Sequence, residues 1–418
     1  MAEAAANAPR AAEAAARQSY GKLVAYLAAR TRDVAAAEDA LSEAFAAALA
    51  DWHANGVPDC PEAWLLAVAR RRMIDAVRRA GTRAGASAHL LMMADELQAA
   101  EDAMRDMDIP DRRLALMFAC AHPAIEAGIR APLMLQTVLG FDAARIASAF
   151  LVSPAAMSQR LLRAKTKIRQ AGIPFHIPAA SELAGRLDAV LAAVYAVFSE
   201  GWSGHGGLED RRAGLTEEAI FLGRLVAALF PQEPEALGLL SLMLHAEARR
   251  AARRTAEGEY VPLAEQDTAL WDGAMVDEAE ALLARASRME GGGRYQMEAA
   301  VQSAHAVRRI AGSADWRAIA AIYAHLLRVS GSPVVAVNHA AAVAEMEGPD
   351  AGLALLDAVA GDARLENYQP FWAARASLLH RTGARVAADE AYARAIGLEA
   401  DPAVRRFLQR RRAMLAEG

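Results

Sequence analysis

Apolar positions along most of this chain recur at intervals of three and four, and runs of alternating β-branched residues are almost absent. That period belongs to helices with one buried face, so the chain is expected to be all-α. Three helices are predicted early: 20–31, 34–52, and one that Pro61 opens and that runs to about Arg79, since proline suits a first helical turn. The stretch HANGVPDC between the second and third is irregular. A second compact helical unit is expected over 108–172, after which Gly172, Pro174 and Pro178 break the chain. From 181 onward helix follows helix, with breaks at 201–207, 231–234, 291–293, 331–333 and 348–349. The expected organisation is an alanine-rich extension (1–17), a first domain (18–83), an acidic linker (84–107) holding Glu101, Asp102 and Asp106, a second domain (108–172), a linker (173–180) and a helical extension (181–418).

The last part carries an internal signature. Trp372, Ala376, Leu379, Gly383, Ala388, Tyr392 and Ala395 fall at the spacing of a tetratricopeptide (TPR) repeat. Small residues there let two antiparallel helices approach, and large ones fill the seam between neighbours. Gly348 lies 35 residues before Gly383, with Ala341 and Ala344 ahead of it, which fits a degenerate second copy. A generic helical bundle fits the same spacing.

Composition narrows the class. The 418 residues suffice for two to four domains, and 55% are hydrophobic, largely through alanine, which supports a sizeable core. Cys60 and Cys120 cannot build a disulfide framework and suit a reducing cytoplasm. Cys120 and His122 lie close together without further ligands at metal spacing, so neither metal nor cofactor is expected. Residues 1–17 lack the basic start and apolar block of a secretion signal, and no apolar run reaches the ~18–20 residues that span a bilayer. The expectation is a soluble intracellular protein with no membrane partner.

Charge changes the picture further. Net charge is -5, yet 143–181 contains no acidic residue and carries Arg145, Arg160, Arg163, Lys165, Lys167 and Arg169. A local reversal of sign along one helix is what a phosphate backbone attracts. DAARIASAFLVSPAAMSQRLLRAKTKIR also parses as two short helices joined by a tight turn, a helix-turn-helix. Asp142 suits the cap of the first helix and small Ala147 a close crossing, while Ser153 suits the N-cap and Pro154 the first turn of the second. Met157, Leu161, Ala164 and Ile168 form the expected buried stripe. The other face offers Ala155, Ala156, Gln159, Arg160, Arg163 and Lys167, where short residues allow approach to base edges and arginine or glutamine can read them. An ordinary helical hairpin with a solvated basic face would carry the same charges.

A second basic patch lies in PEAWLLAVARRRMIDAVRR: residues 63–94 hold six arginines and one acid, Asp75. Just before it, AEDALSEAF (37–45) is an acidic amphipathic helix. One domain thus suits a basic partner and nucleic acid together.

These segments, with the helix-turn-helix, resemble the two domains of extracytoplasmic-function (ECF) sigma factors. IPDRRLALMFACAHPAI, QRLLRAKTKIRQAGIPF, AEQDTALWD, GRYQMEAAVQSAHA and SPVVAVNHAAAVAEMEGP extend the resemblance to the ECF group with a long TPR-like C-terminal extension, from about residue 18 onward. The resemblance implies a promoter-specificity subunit of bacterial RNA polymerase. By that likeness Glu38, Asp39, Ser42 and Glu43 bind the β′ coiled coil, and the β flap is the second polymerase contact. The loop 53–62 holds a base flipped from the minus-ten element. Trp64, Arg70, Arg71, Arg72, Asp75, Arg78 and Arg79 face the opening duplex, and Ser153, Ala155, Ala156, Gln159, Arg160, Arg163 and Lys167 face the minus-thirty-five element. Ser42 stands where glutamine is common in such proteins, and Arg71 where asparagine is.

The extension is read as an intramolecular regulator or a docking surface for a protein partner, with a packed scaffold as the plainer reading. The glycine-rich EGWSGHGG (200–207) reads as a tight interhelical connection with one packed aromatic, and 291–293 as a linker. His245, His305, His325 and His339 are isolated on helices, and Trp271, Trp316 and Trp372 read as core anchors. Nothing assembles a nucleophile, a base and an orienting group, so no enzymatic activity is expected. A TPR-coupled helix-turn-helix regulator that never joins polymerase is the alternative; only the sigma reading requires the acidic 37–45 helix before the arginine-rich one.

Overall fold

The computed structural model describes residues 2–31, 33–84, 112–149, 152–173, 182, 185–202, 209–289 and 291–417. Most of the expected acidic linker, the break at 174–181, residues 150–151 of the turn before Ser153 and residues 203–207 of EGWSGHGG lie outside them, as do the side chains of Arg78, Arg79, Arg145 and Glu200. The described residues form helices and one isolated antiparallel bridge, Arg254 with Tyr260. The chain divides into two compact units, 1–197 and 198–418.

In the N-terminal unit, α1 (Ala2–Thr31), α2 (Val34–Asn55) and α3 (Pro61–Ala84) pack against one another. The first helix starts at Ala2 rather than near Tyr20, because alanine has the highest helix propensity and Ala12 and Ala15 are already buried. Asp33 caps α2 by accepting the Ala36 N–H at 3.1 Å. Val34, Ala37, Leu41, Ala44, Ala48 and Trp52 turn one face of α2 inward. Gly56, at φ 88°, ends the helix, and Trp52 meets Trp64 of α3 edge to face at 5.5 Å.

The same unit contains α4 (Arg113–Cys120), α5 (Ala127–Leu139), α6 (Ala143–Ala149) and α7 (Pro154–Gln170). Every residue of α4 is buried. The Cys120 thiol lies 3.6 Å from the Thr137 hydroxyl, and burial pushes its pKa up to about 12. Gly140, left-handed at φ 67°, closes α5 against the ring of Tyr20. Because α1 packs on α4 and α5 as well as on α2 and α3, all these helices share one unit. α8 (Leu187–Trp202) runs across the boundary between the two units.

The C-terminal unit continues with α9 (Glu209–Leu229), α10 (Pro234–Glu247), α11 (Gly273–Ala286), α12 (Arg294–Ala306) and the single turn α13 (Arg308–Ala311). α10 is its centre: 236–246 are all buried, and Gly238 lets α12 approach until an added Cβ would stand 2.5 Å from the Gln296 nitrogen. Residues 291–293 do more than link. Gly293 leaves room for the Glu235 carboxylate, which accepts the N–H groups of Tyr295 and Gln296 at 3.0 and 2.9 Å at the start of α12.

Six further helices follow: α14 (Trp316–Ser330), α15 (Pro333–Glu347), α16 (Pro349–Val359), α17 (Gln369–Arg381), α18 (Arg385–Leu398) and α19 (Pro402–Glu417). Each packs mainly on its neighbour in sequence. Ala376, Ala388, Tyr392 and Ala395 meet in one buried cluster between α17 and α18, and Gly383 turns the chain between them at φ 81°. Trp271 is buried, Trp316 meets His305 edge to face at 5.3 Å, and the Trp372 indole N–H donates to the Glu366 carbonyl at 3.0 Å.

Candidate nucleic-acid interface

The helix α7 forms as its sequence dictates. Ser153 accepts the Ala156 N–H at 3.3 Å, Pro154 occupies the first turn, and Met157, Leu161, Ala164 and Ile168 are buried. That stripe packs on α5 and α6. Ser153, Ala155, Ala156, Gln159, Arg163 and Lys167 are exposed. Arg160 is half-buried and lies 3.7 Å from the Glu126 carboxylate. The exposed side of α7 therefore presents short side chains at its start and guanidinium and ammonium groups further along.

The arginine-rich α3 is divided. Arg71, Arg72 and Asp75 are exposed, and Trp64 is half-buried. Arg72 Nε lies 3.4 Å from the Glu43 carboxylate of α2. Arg70 differs from the sequence expectation: it is 1% exposed, donates to the Tyr26 hydroxyl at 2.7 Å and stacks 5.2 Å over that ring. Its place about one turn after the buried Leu65 and Leu66, on the Ala69–Met73 side, turns it into the α1–α3 seam. Arg70 is thus a packing residue in this structure, not part of the exposed face.

On α2 the acidic residues also split. Asp39, Ser42 and Glu43 are exposed and continue into exposed Ala46 and Leu49, a strip at helical spacing. Glu38 is buried and ion-paired with Lys165 of α7, whose side chain is buried too. Beside it, Arg169 Nη1 lies 3.2 Å from the Asp33 cap. Burial raises the Glu38 pKa, and the Lys165 ammonium opposes that rise. Burial likewise raises that of the neighbouring Tyr20 phenol, helped by the charges of Glu38 and Asp39. Sequence reasoning missed the Lys165–Glu38 pair. The available signal was position: Lys165 falls beside Leu161, Ala164 and Ile168, inside a stripe wider than the apolar residues alone mark out.

Residues 16–83, α1 from its middle through α3, match the Sigma-70 region 2 family. Residues 186–287, α8 through α11, match a family of unknown function, DUF6596. "Uncharacterized protein R00370" of Rhizobium meliloti (strain 1021) is 40% identical over 383 residues, covering 91% of this chain and 89% of that protein. The chain belongs to the same family as that protein. No solved structure matches it. Its N-terminal helices carry a sigma-70 region 2 domain, which supports a role of the sigma-factor kind in transcription initiation. Among the described residues no helix is long and apolar enough to cross a membrane, and no group of three or more His, Cys, Asp or Glu side chains is arranged to hold a metal ion.

Proposed function

We propose that this chain is a promoter-specificity subunit of RNA polymerase, a sigma factor of the ECF kind with a regulatory helical extension. The observation that carries the reading is the region 2 match laid over α1–α3, with an acidic strip on α2 beside an arginine-rich α3. Asp39, Ser42 and Glu43 are the polymerase-binding residues available on the surface. Arg71 and Arg72, with Arg78 and Arg79, meet the backbone of the opening minus-ten duplex, where extracting a base costs a few kcal/mol and needs nearby positive charge to offset it. α6 and α7 act as the helix-turn-helix that reads the minus-thirty-five element through Ala155, Ala156, Gln159, Arg160, Arg163 and Lys167. Polymerase then fixes the spacing between the two contacts. The TPR-like extension carries the control, and the protein does no chemistry of its own.

Reconstituted transcription tests this. Core polymerase plus the protein is expected to initiate at sites that core alone does not use. Absence of any new start site on genomic DNA of the source organism would sink the proposal.

A further inference from the structure

α11 and α12 each pack mainly along the central α10 and touch one another much less, so a cleft stays open between them. Its walls follow from helical spacing. Glu280, Leu283, Ala284 and, just past its end, Ser287 repeat at three and four along one side of α11, as Gln296 and Ala300 do on α12. Ile322 of α14 adds to the lining, and small residues such as Ala284, Ala300 and Gly292 leave the volume unfilled. The cavity holds about 510 Å³, within the ~300–1,000 Å³ of small-molecule sites.

Most of the lining is hydrocarbon, with Leu283, Met297 and Ile322 as its largest apolar side chains. Two polar groups interrupt it. The Glu280 carboxylate accepts the Ser303 hydroxyl at 2.9 Å through Oε2, while Oε1 lies 3.5 Å from His245 Nε2. Burial keeps that imidazole neutral, its pKa held down to about 4, so it brings Glu280 no positive charge. Among the described residues no guanidinium or ammonium group pairs with this carboxylate. The second group is Gln296, whose side-chain oxygen is closed off from solvent and accepts no hydrogen bond. An acceptor so placed is destabilising until a donor reaches it, and the broad terminal torsion of the amide lets it turn to one in the cavity.

Charge decides the ligand class. An anion would meet Glu280 among hydrocarbon walls, where repulsion is strong, and a wholly apolar molecule would strip water from the carboxylate without replacing it. An ammonium group supplies both the charge and the donors. We propose that the cleft between α11 and α12 is a binding site for a small amphiphilic amine, its ammonium group on Glu280 and Gln296 and its apolar body against Leu283, Met297 and Ile322. The ligand bridges two helices that otherwise touch little, and so stabilises this part of the C-terminal unit. Every residue of the site belongs to that unit, and binding there is independent of any role in transcription.

The test uses full-length protein and three probes built on one skeleton: 4-phenylbutylamine, 4-phenylbutanol and 4-phenylbutanoate. At neutral pH the amine is protonated, since alkylamines titrate near ~10. Titration calorimetry should show the amine binding at least about tenfold more tightly than the alcohol, and the carboxylate not binding. Glu280→Gln should remove that preference while leaving the affinity of the alcohol within about twofold. Ala284→Phe, at an exposed position of the lining, should fill the space and abolish binding of both. In protein labelled at the methionine methyls, the resonance of Met297, assigned through Met297→Leu, should shift with the amine. Equal affinities for amine and alcohol overturn the assignment, as does an amine that leaves the Met297 resonance in place. Binding that survives Ala284→Phe puts the ligand elsewhere and overturns it too. If the urea midpoint shows that Glu280→Gln unfolds the protein, the three probes on wild type and on Ala284→Phe still decide.

Discussion

Gly21 in α1 sits against Val138 in α5 so closely that a Cβ on Gly21 would stand 1.6 Å from the Val138 carbonyl oxygen. The obstacle is backbone, not the end of a flexible side chain, so the helices themselves must separate. Gly21→Ala is therefore expected to lower stability of the N-terminal unit by about 2 kcal/mol or more, at the upper end of overpacking costs. Urea unfolding followed by tryptophan fluorescence measures it, since Trp52 and Trp64 lie in this unit. A loss below about 0.5 kcal/mol would contradict the close crossing.

The exposed strip on α2 makes a separate claim. Asp39 and Glu43 point to solvent, so Asp39→Arg with Glu43→Arg should leave folding intact. Presented to a surface that complements negative charge, the reversal should weaken core-polymerase binding at least tenfold, since like charges across an interface cost several kcal/mol. Unchanged affinity in a fluorescence-anisotropy titration would remove α2 from the polymerase contact.

The exposed and buried cations should behave differently. Arg163→Ala with Lys167→Ala removes two exposed cations from α7; under the proposed minus-thirty-five contact, promoter binding by the polymerase complex should weaken and its logarithmic salt slope should fall by about two. Arg70→Ala should instead lower the unfolding midpoint, because its guanidinium fills the seam over Tyr26. If Arg70→Ala altered only the salt slope, the inward position would be wrong.

The helical period, the Ser153 cap, the 157–161–164–168 stripe and the Pro61 start were all legible because each depends on neighbours within one or two turns. The inward turn of Arg70 and the burial of Lys165 were not. Both depend on partners 44 and 127 residues away, Tyr26 and Glu38, and a cation on a helix reads as solvated until its partner is known. The 291–293 glycines illustrate the same limit: a flexible linker and a close approach to the Glu235 carboxylate have one composition.

Acid should weaken the C-terminal unit in a specific window. Burial holds the His245 pKa down to about 4, helped by the Arg249 guanidinium and against the partly solvated Glu280 carboxylate 3.5 Å away. The folded state therefore keeps His245 neutral while the unfolded chain, near 6.5, takes up a proton. Stability from this group is complete above about pH 6.5 and is lost as pH falls toward 4, a change on the order of 2–3 kcal/mol. His305, also held to about 4, acts in the same direction. Comparing urea midpoints at pH 7 and pH 5, His245→Gln should shrink the difference; an identical slope would mean that His245 is not buried neutral.

The last helix is tied back to the loop that follows α10. Glu259 accepts from Arg406 at 2.9 Å and from Arg410 at 2.5 Å, Arg254 meets Asp401 at 2.6 Å, and Tyr260 packs edge to face on Phe407 at 5.5 Å. These carboxylates bridge positions about 147 residues apart in sequence, so the loop and α19 should open together rather than separately. Glu259→Lys replaces two attractions with two repulsions at a surface site, where salt screening is strong. Hydrogen exchange should then speed up about tenfold in α19 and in residues 254–265 alike, while α14 and α15 keep their protection. The difference from wild type should shrink in 1 M salt, where the screening length is about 3 Å. Faster exchange in α19 with the loop unaffected would show that the loop is held without Glu259, by the Arg254–Asp401 pair and the Tyr260–Phe407 contact.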